Sequence, residues 1–387
     1  LNAYLQPVVG DYLERLETGL RAASFESALL IVQSNGGIMS AATARALPVR
    51  TALSGPAAGV IAAARIAQAA GINDIITCDM GGTSFDVAVV ANGRSTLAAQ
   101  CAIDFGMVIR TPMVEITTIG AGGGSIASVD RGGLLQIGPA SAGSDPGPAC
   151  YGLGNPLPTV TDANLVLGRI NPDRPIGGRI DGLDADAAER AIATSVGTPL
   201  GLDTVAAAEA ILRVANARMA GAIRLVSVER GHDPARFAAM PFGGAGALHV
   251  GALIRDVGLA RAIVPRFPGV TSALGCVLAD MRHDTVHTLN QPLDGLDTRG
   301  LAQRMRQLGV SGRDVVQSAG VHFDALEVEF ELDMLYVGQS HTVAVPLTIS
   351  DPDAVTNPEV ITVGFIRKAF ESAYLGAYGR LLGSLPM

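Results

Sequence analysis

The stretch CDMGGTSFDVAVV, residues 78–90, decides how the chain is read. Asp79 and Asp86 frame a Gly-Gly-Thr, and the second Asp opens a run of apolar and β-branched residues. With Asp74-Ile75-Ile76-Thr77 before it, the pattern reads as strand, glycine turn, strand, and Asn92-Gly93 marks a further hairpin turn. Glycines at such a turn, here Gly81 and Gly82, let backbone N–H groups approach an anion with no Cβ in the way. Thr83 adds a hydroxyl donor. Asp79, just before the turn, can hold a hydrated Mg2+, a hard cation that prefers carboxylate and phosphate oxygens. Asp86, just beyond it, can order a water or the Thr83 hydroxyl. The plain alternative is two carboxylates that cap a tight turn, and this stretch alone does not choose.

Working outward, helices and strands alternate, which argues for an α/β fold. Residues 1–22 carry apolar positions close to helical spacing. ALLIVQSNGG (28–37) reads as a short buried strand stopped by a turn. SGPAAGVIAAARIAQAAG (54–71) reads as a helix with Ser54 as N-cap, Pro56 in its first turn and Gly71 at its end. Residues 120–158 are rich in loop signals; a loop this long in a compact protein is usually functional. TVTDANLVLGRI offers Thr161 or Asp162 as a cap, and residues 204–230 form a long helix. From about Asn290 the composition shifts. LEVEFELDM (326–334) alternates strictly, with Glu327, Glu329, Glu331 and Asp333 on one side, as a half-exposed antiparallel strand does. A helix near 358–383 follows. The division expected is therefore 1–290 and a smaller, partial α+β module at 291–387.

A second glycine loop, PFGGAGALH (241–249), follows an apolar strand and leads into a helix. Gly243, Gly244 and Gly246 let the backbone pass flat against a ring or present helix N-terminal amides to phosphate. Tight helix–strand packing explains such a loop equally well, and no GxxxxGK[ST] occurs. Two such loops, one flanked by acids, point to nucleotide binding. His249 closes the second loop and is a candidate for phosphate or substrate contact, or for filling a half-buried gap. His283 and His287 lack a third convergent ligand for a metal.

Composition removes other classes. Net charge is −8 with no Lys/Arg cluster, so a nucleic-acid footprint is absent. No apolar run reaches the roughly 18 residues of a membrane span. The four cysteines are scattered without a CxxC pair and suit reduced thiols in cytoplasm. Hydrophobic residues at 48%, charged residues at 17%, 47 glycines and no tryptophan describe a well-buried chain with many tight turns. The first residue is Leu1, and the chain reads as a piece of something longer.

The hairpin at 78–90 resembles the second phosphate hairpin of the actin-like, sugar-kinase-like ATPase superfamily, whose lobes are ribonuclease H-like. The ordered blocks QSNGG, SGPAAGV, DMGGTS, TIGAGGGSIA, GPASAGSDPGPACYG, PTVTDANLVLGR, PFGGAGALH, SALGCVLAD and YVGQS are similar to those of the hydantoinase A and 5-oxoprolinase family. The resemblance also extends to the acetone carboxylase beta subunit. It implies Mg-ATP as cofactor and ATP-dependent opening of a cyclic amide by phosphorylation of its carbonyl oxygen. A hydantoinase B-like partner subunit or fused domain would complete hydrolysis, in a cytoplasmic oligomer. The alternatives are a ketone carboxylase subunit and a non-enzymatic nucleotide-gated interaction module. On the matching positions, Asp79 and Asp86 are the catalytic candidates, with Asp79 holding Mg2+ through water. Gly81, Gly82, Thr83, Gly243, Gly244 and Gly246 are the ATP-binding candidates. Asp145 and His249 are candidates for substrate.

Three departures stand against the family pattern. An earlier Asp-Gly-Gly-Thr hairpin, belonging to a lobe expected before Leu1, is not in this chain, so the chain alone is not expected to turn over. Ala247 replaces a usual Pro, and Leu335 a usual Arg.

Overall fold

The structure, a computed structural model, describes residues 1–98, 101–102, 108–109, 111–175, 181–347, 360–383 and 385–387. It divides into two units: Leu1–Leu13, Ile31–Ile38 and Ala42–Asp280 form the first; Glu14–Leu30, Met39–Ala41 and Met281–Met387 form the second. Helix α1 spans Asn2–Ala22, and the strands β1 (Leu30–Val32) and β2 (Ile38–Ser40) pair with each other around the QSNGG turn.

The first unit is built on a mixed six-stranded sheet. In chain order its elements are α2 (Ser54–Ala69), β3 (Ile75–Met80), β4 (Phe85–Ala91), β5 (Arg94–Ser95) and β6 (Thr117–Ile119). After the hairpin β7 (Ser125–Val129) and β8 (Leu135–Ser141) come α3 (Val160–Val166), α4 (Thr204–Val226), β9 (Ala238–Phe242), α5 (Gly246–Val257), β10 (Arg261–Ala262) and α6 (Thr271–Leu278). The strand order is β6-β4-β3-β9-β10, with β5 paired to β4. β3, β4 and β6 are antiparallel neighbours, whereas β9 runs parallel to both β3 and β10. This is the ribonuclease H-like order that the resemblance implies. Asn92 and Gly93 both take positive φ, which makes the β4–β5 turn of the kind whose twist matches its strands.

Period-two alternation explains how the sheet is covered on both faces. Ile76, Cys78, Met80, Phe85, Val87 and Val89 join Ile211, Ala215, Met219 and Ile223 of α4 in one core cluster. Ile75, Ala88, Val90, Met240 and Phe242 join Ala57, Val60, Ala63 and Ala67 of α2 in the other. The small residues of α2 allow close approach. A Cβ at Gly59 would lie 2.8 Å from the Phe242 ring, and one at Gly275 of α6 only 1.9 Å from the Ala58 carbonyl oxygen.

Four local expectations are corrected. The α2 N-cap is Leu53, in the left-handed region with no side-chain cap, and Ser54 is already helical. The α3 cap is Thr159, with Asp162 completing a capping box as N3, so neither Thr161 nor Asp162 is the cap. The stretch 120–158 is not loop throughout, since β7 and β8 pair within it. The long helix ends at Val226, and Val228–Arg230 continues as a 3-10 turn.

In the second unit, α7 (Thr298–Gln317), the antiparallel pair β11 (Glu331–Met334) and β12 (Val343–Pro346), and α8 (Val363–Tyr378) surround Tyr336, Phe370 and Tyr374. Strand pairing covers only the end of the alternating 326–334 stretch. Of the helix expected near 358–383, residues 358–359 lie outside the described residues. YVGQS is a packing turn: Tyr336 is buried edge-on against Phe370, and Gln339 Nε2 donates to Tyr374 Oη at 2.7 Å.

The α2–α6 crossing supplies a direct test. Gly275→Ala must push the Ala58 backbone and is expected to cost about 1–3 kcal/mol. Gly251→Ala on α5, where an added Cβ meets nothing within 4 Å, is expected to be neutral or stabilising by up to about 1 kcal/mol. Urea denaturation of both variants measures the difference.

Candidate nucleotide-binding site

The β3–β4 register sets Asp79 directly opposite Asp86, on the sheet face shared with Ile75 and Val90. Like charges on one rung repel, so each carboxylate needs its own support. Asp86 Oδ1 accepts from Thr118 Oγ1 at 2.5 Å, and Oδ2 from Ser84 Oγ at 3.1 Å. Burial pushes the Asp79 carboxyl up to about 6, and the charge of Asp86 adds to the rise. A hydrogen bond from the Ser272 hydroxyl on α6 opposes it. Ser84, Thr118 and Ser272 were not singled out from the sequence. Thr118 and Ser272 are distant along the chain from the carboxylates they serve.

The second glycine loop lies alongside. β9 runs parallel to β3 with Phe242 paired to Asp79, so both glycine loops leave the carboxyl ends of adjacent parallel strands. Such an edge is where ligands bind in open α/β sheets. Gly243 has φ of +79°, and a Cβ there would sit 2.5 Å from Asp79 Oδ1 and from the Met80 carbonyl oxygen. Ala245 N donates to that carbonyl at 3.0 Å, and a Cβ at Gly246 would lie 2.8 Å from the Cys78 carbonyl oxygen. Gly81, Gly82 and Gly244, by contrast, face open space, with nothing within 4 Å of an added Cβ.

A third glycine run, Gly122-Gly123-Gly124, buttresses the hairpin turn from behind. Gly123 N donates to Gly81 O at 2.9 Å and Gly124 N to Gly82 O at 2.6 Å. A Cβ at Gly122 would lie 2.5 Å from the Gly82 carbonyl and the Thr83 nitrogen. The sequence signal was the uninterrupted GGG after a short strand, but nothing local named its partner. Thr83 is exposed at the tip of the turn, and Asp145 is exposed on the following loop. That loop is fastened where Ala142 N donates to Gly124 O at 2.9 Å.

The donor set fits the groups that the motifs imply. Mg2+ is commonly held by one or two carboxylates together with phosphate oxygens and water. Among the described residues no cluster of three or more His, Cys, Asp or Glu could hold a metal, and the carboxylates on this rung are Asp79 and Asp86. The open space at Gly81, Gly82 and Gly244 is the kind of backbone cradle in which a Cβ would obstruct an anion. Cys150 is buried, and burial and then Asp162 hold its thiol well above the usual range.

Both ring nitrogens of His249 are taken up by side chains within the first unit. It is 1% exposed, with Nδ1 2.7 Å from Asn216 Oδ1 and Nε2 3.3 Å from Asn164 Nδ2. An amide nitrogen only donates, so Nε2 accepts and the ring is the neutral Nδ1–H tautomer. Burial, then Arg169, lowers its pKa from the ordinary 6.5 to about 4. The unfolded chain therefore binds a proton that the native state refuses between those values. Stability is present above pH 6.5 and lost as pH falls towards 4, a difference of about 3 kcal/mol. Accordingly, the stability advantage of the parent over His249→Gln should be largest near neutrality and shrink on acidification; urea melts across that range measure it.

The chain matches the hydantoinase/oxoprolinase family over residues 1–285. It is 40% identical over 352 residues to the caprolactamase subunit alpha of Pseudomonas jessenii, covering 90% of this chain and 50% of that protein. Identity to the acetophenone carboxylase gamma subunit of Aromatoleum aromaticum is 38% over 352 residues, covering 88% and 47%. The crystal structure of the ATP-dependent caprolactamase from Pseudomonas jessenii superposes with a TM-score of 0.82 at 36% identity, over 100% of this chain and 55% of that one. Nucleotide-free acetone carboxylase gives 0.73 at 26%, over 97% and 53%. The chain spans about half the length of the curated relatives it matches. The sheet order, the paired carboxylates and the ordered glycine blocks thus coincide with a family match over most of the chain, which belongs to the hydantoinase/oxoprolinase family.

Proposed function

We propose that this chain is the phosphate-binding lobe of an ATP-dependent enzyme that activates the carbonyl oxygen of a cyclic amide. The observation that carries the reading is the carboxylate pair Asp79–Asp86 beside two glycine loops at the carboxyl ends of adjacent parallel strands. Gly81, Gly82 and Thr83 offer main-chain N–H groups and a hydroxyl to the phosphates. Gly243 and Gly246 seat the second loop against β3, and Gly244, which faces open space, leaves the nucleoside side room to approach the sheet edge. Asp79 would hold Mg2+, which when bound would neutralise charge on the phosphate oxygens. Asp86, fixed by Ser84 and Thr118, orders water beside it. The amide carbonyl oxygen attacks the terminal phosphorus, the bond from that phosphorus to the bridging oxygen breaks and ADP leaves. Loss of the amide N–H proton to water gives an O-phosphorylated imidate whose carbon is open to water. The chain's work is positioning and charge neutralisation.

A partner subunit or fused domain of the hydantoinase B type completes hydrolysis. Support comes from relatives that are themselves named as subunits, caprolactamase alpha and acetone carboxylase beta among them. The near-equal identity to the acetophenone carboxylase subunit favours a second reading with the same first step on a ketone, followed by carboxylation.

ATP consumption by the full-length protein with its partner, measured against hydantoins, lactams, 5-oxoproline and small ketones with bicarbonate, tests both. One substrate class should stimulate turnover, and Asp79→Asn should lower kcat by about 10²–10³-fold. ATP binding without stimulation by any small molecule would instead favour a nucleotide-gated interaction module.

A further inference from the structure

The two glycine loops belong to segments far apart in sequence, yet a nucleotide spanning them needs their spacing fixed. The short helix α3 reaches each of them through one intermediary, Gly123 on one side and His249 on the other. At its first turn, Thr161 donates to the Gly123 carbonyl oxygen twice, from N at 2.8 Å and from Oγ1 at 2.9 Å. Gly123 N in turn donates to Gly81 O of the DMGGTS turn. One turn along, Asn164 Nδ2 donates to its own helix at Val160 O, 3.0 Å away, and to His249 Nε2. His249 occupies the first turn of α5, directly after the Gly243–Gly246 loop. Its other nitrogen is held by Asn216 of α4.

We infer that Asn164 is a positioning residue: through His249 it ties the second glycine loop to the same helix that braces the first. The inference rests on the nucleotide reading proposed above. Its particular support is the state of Asn164 itself. The side chain is 1% exposed, and Oδ1 has no hydrogen-bond partner among the described residues. A buried amide with an unmatched oxygen is costly where an apolar side chain of the same size would fill the space. What the amide supplies that leucine cannot is the directed donor to His249 Nε2. His249 is thereby a strut of the second loop, with its neutral tautomer fixed by an acceptor on one side and a donor on the other.

Binding of a non-hydrolysable ATP analogue with Mg2+, followed by calorimetry on the full-length protein with its partner, tests the tie. KM for ATP and kcat are measured beside it, and thermal melts confirm folding. Asn164→Leu keeps the volume and removes the donor. His249→Asn keeps a polar group near the Nδ1 position, towards Asn216, and loses the reach to Asn164; His249→Gln keeps a group near the Nε2 position. The expected result is about tenfold weaker nucleotide binding in Asn164→Leu and His249→Asn. Binding in His249→Gln should stay within about threefold of the parent, and KM for ATP should move more than kcat throughout. Parent-like binding in Asn164→Leu and His249→Asn would overturn the tie while leaving the nucleotide reading intact. So would losses in all three variants that simply follow their melting temperatures. Absence of nucleotide binding in the parent would overturn the reading and the tie together.

Discussion

Asp79 opposite Asp86, two carboxylates on one rung of a hairpin, is the constraint around which the first unit is arranged. Each rung of an antiparallel ladder brings its side chains within a few ångströms, so two anions there oppose the pairing that aligns them. The register survives because the sheet holds β3 from both sides, through β4 in the hairpin and through the parallel β9. Hydroxyls then hold the carboxylates: Ser84 and Thr118 donate to Asp86, and a hydrogen bond from Ser272 opposes the upward shift of Asp79. The two environments differ. Asp86 accepts from two donors, whereas the Asp79 carboxyl is driven upward by burial and then by the charge of Asp86.

Holding that pair at a sheet edge with backbone pressed around it explains the glycine-rich composition. Gly243 runs past the Asp79 carboxylate at a distance no Cβ tolerates, Gly122 does the same against the turn, and Gly59 and Gly275 let helices close on the sheet and on each other. Other glycines do the opposite. Gly81, Gly82 and Gly244 leave space unfilled. Packing accounts for the first group and, on the proposed reading, ligand access for the second, and the sequence presents them identically.

What was legible followed from local signals. The strand–turn–strand at 74–91, the Asn92-Gly93 turn and the strand–loop–helix at 238–257 all carry period and turn residues within a short window. The ordered motif blocks supplied the rest of the fold class. What was not legible depends on partners far along the chain. Nothing near Thr118 announces Asp86, and nothing near Ser272 announces Asp79. His249, read as a candidate for phosphate or substrate contact or for filling a half-buried gap, is buried with both ring nitrogens bonded to asparagines from other helices. The cap of α3 was misplaced for a different reason. In a capping box Ser/Thr precedes the helix and the acid follows at N3, and here Val160 and Thr161 between them blurred which residue was which. The alternating acids at 326–333 overstated their strand because alternation reports a face, while pairing needs a neighbour.

The composition of the site bears on why relatives with different named activities share this lobe. Caprolactamase, 5-oxoprolinase and the ketone carboxylases differ in the carbonyl compound they are named for. On the proposed reading, the groups offered to the phosphates are main-chain N–H donors, one hydroxyl and two carboxylates. None of these distinguishes a lactam from a ketone, because each addresses phosphate or metal rather than the carbon skeleton. Discrimination then falls to side chains that face outward beside the hairpin, such as Asp145 on the loop fastened to Gly124, and to the remainder of the longer proteins. A phosphate corner made mostly of backbone can stay fixed while the substrate side changes, since altering an exposed loop leaves the Asp79–Asp86 rung and its glycine supports in place.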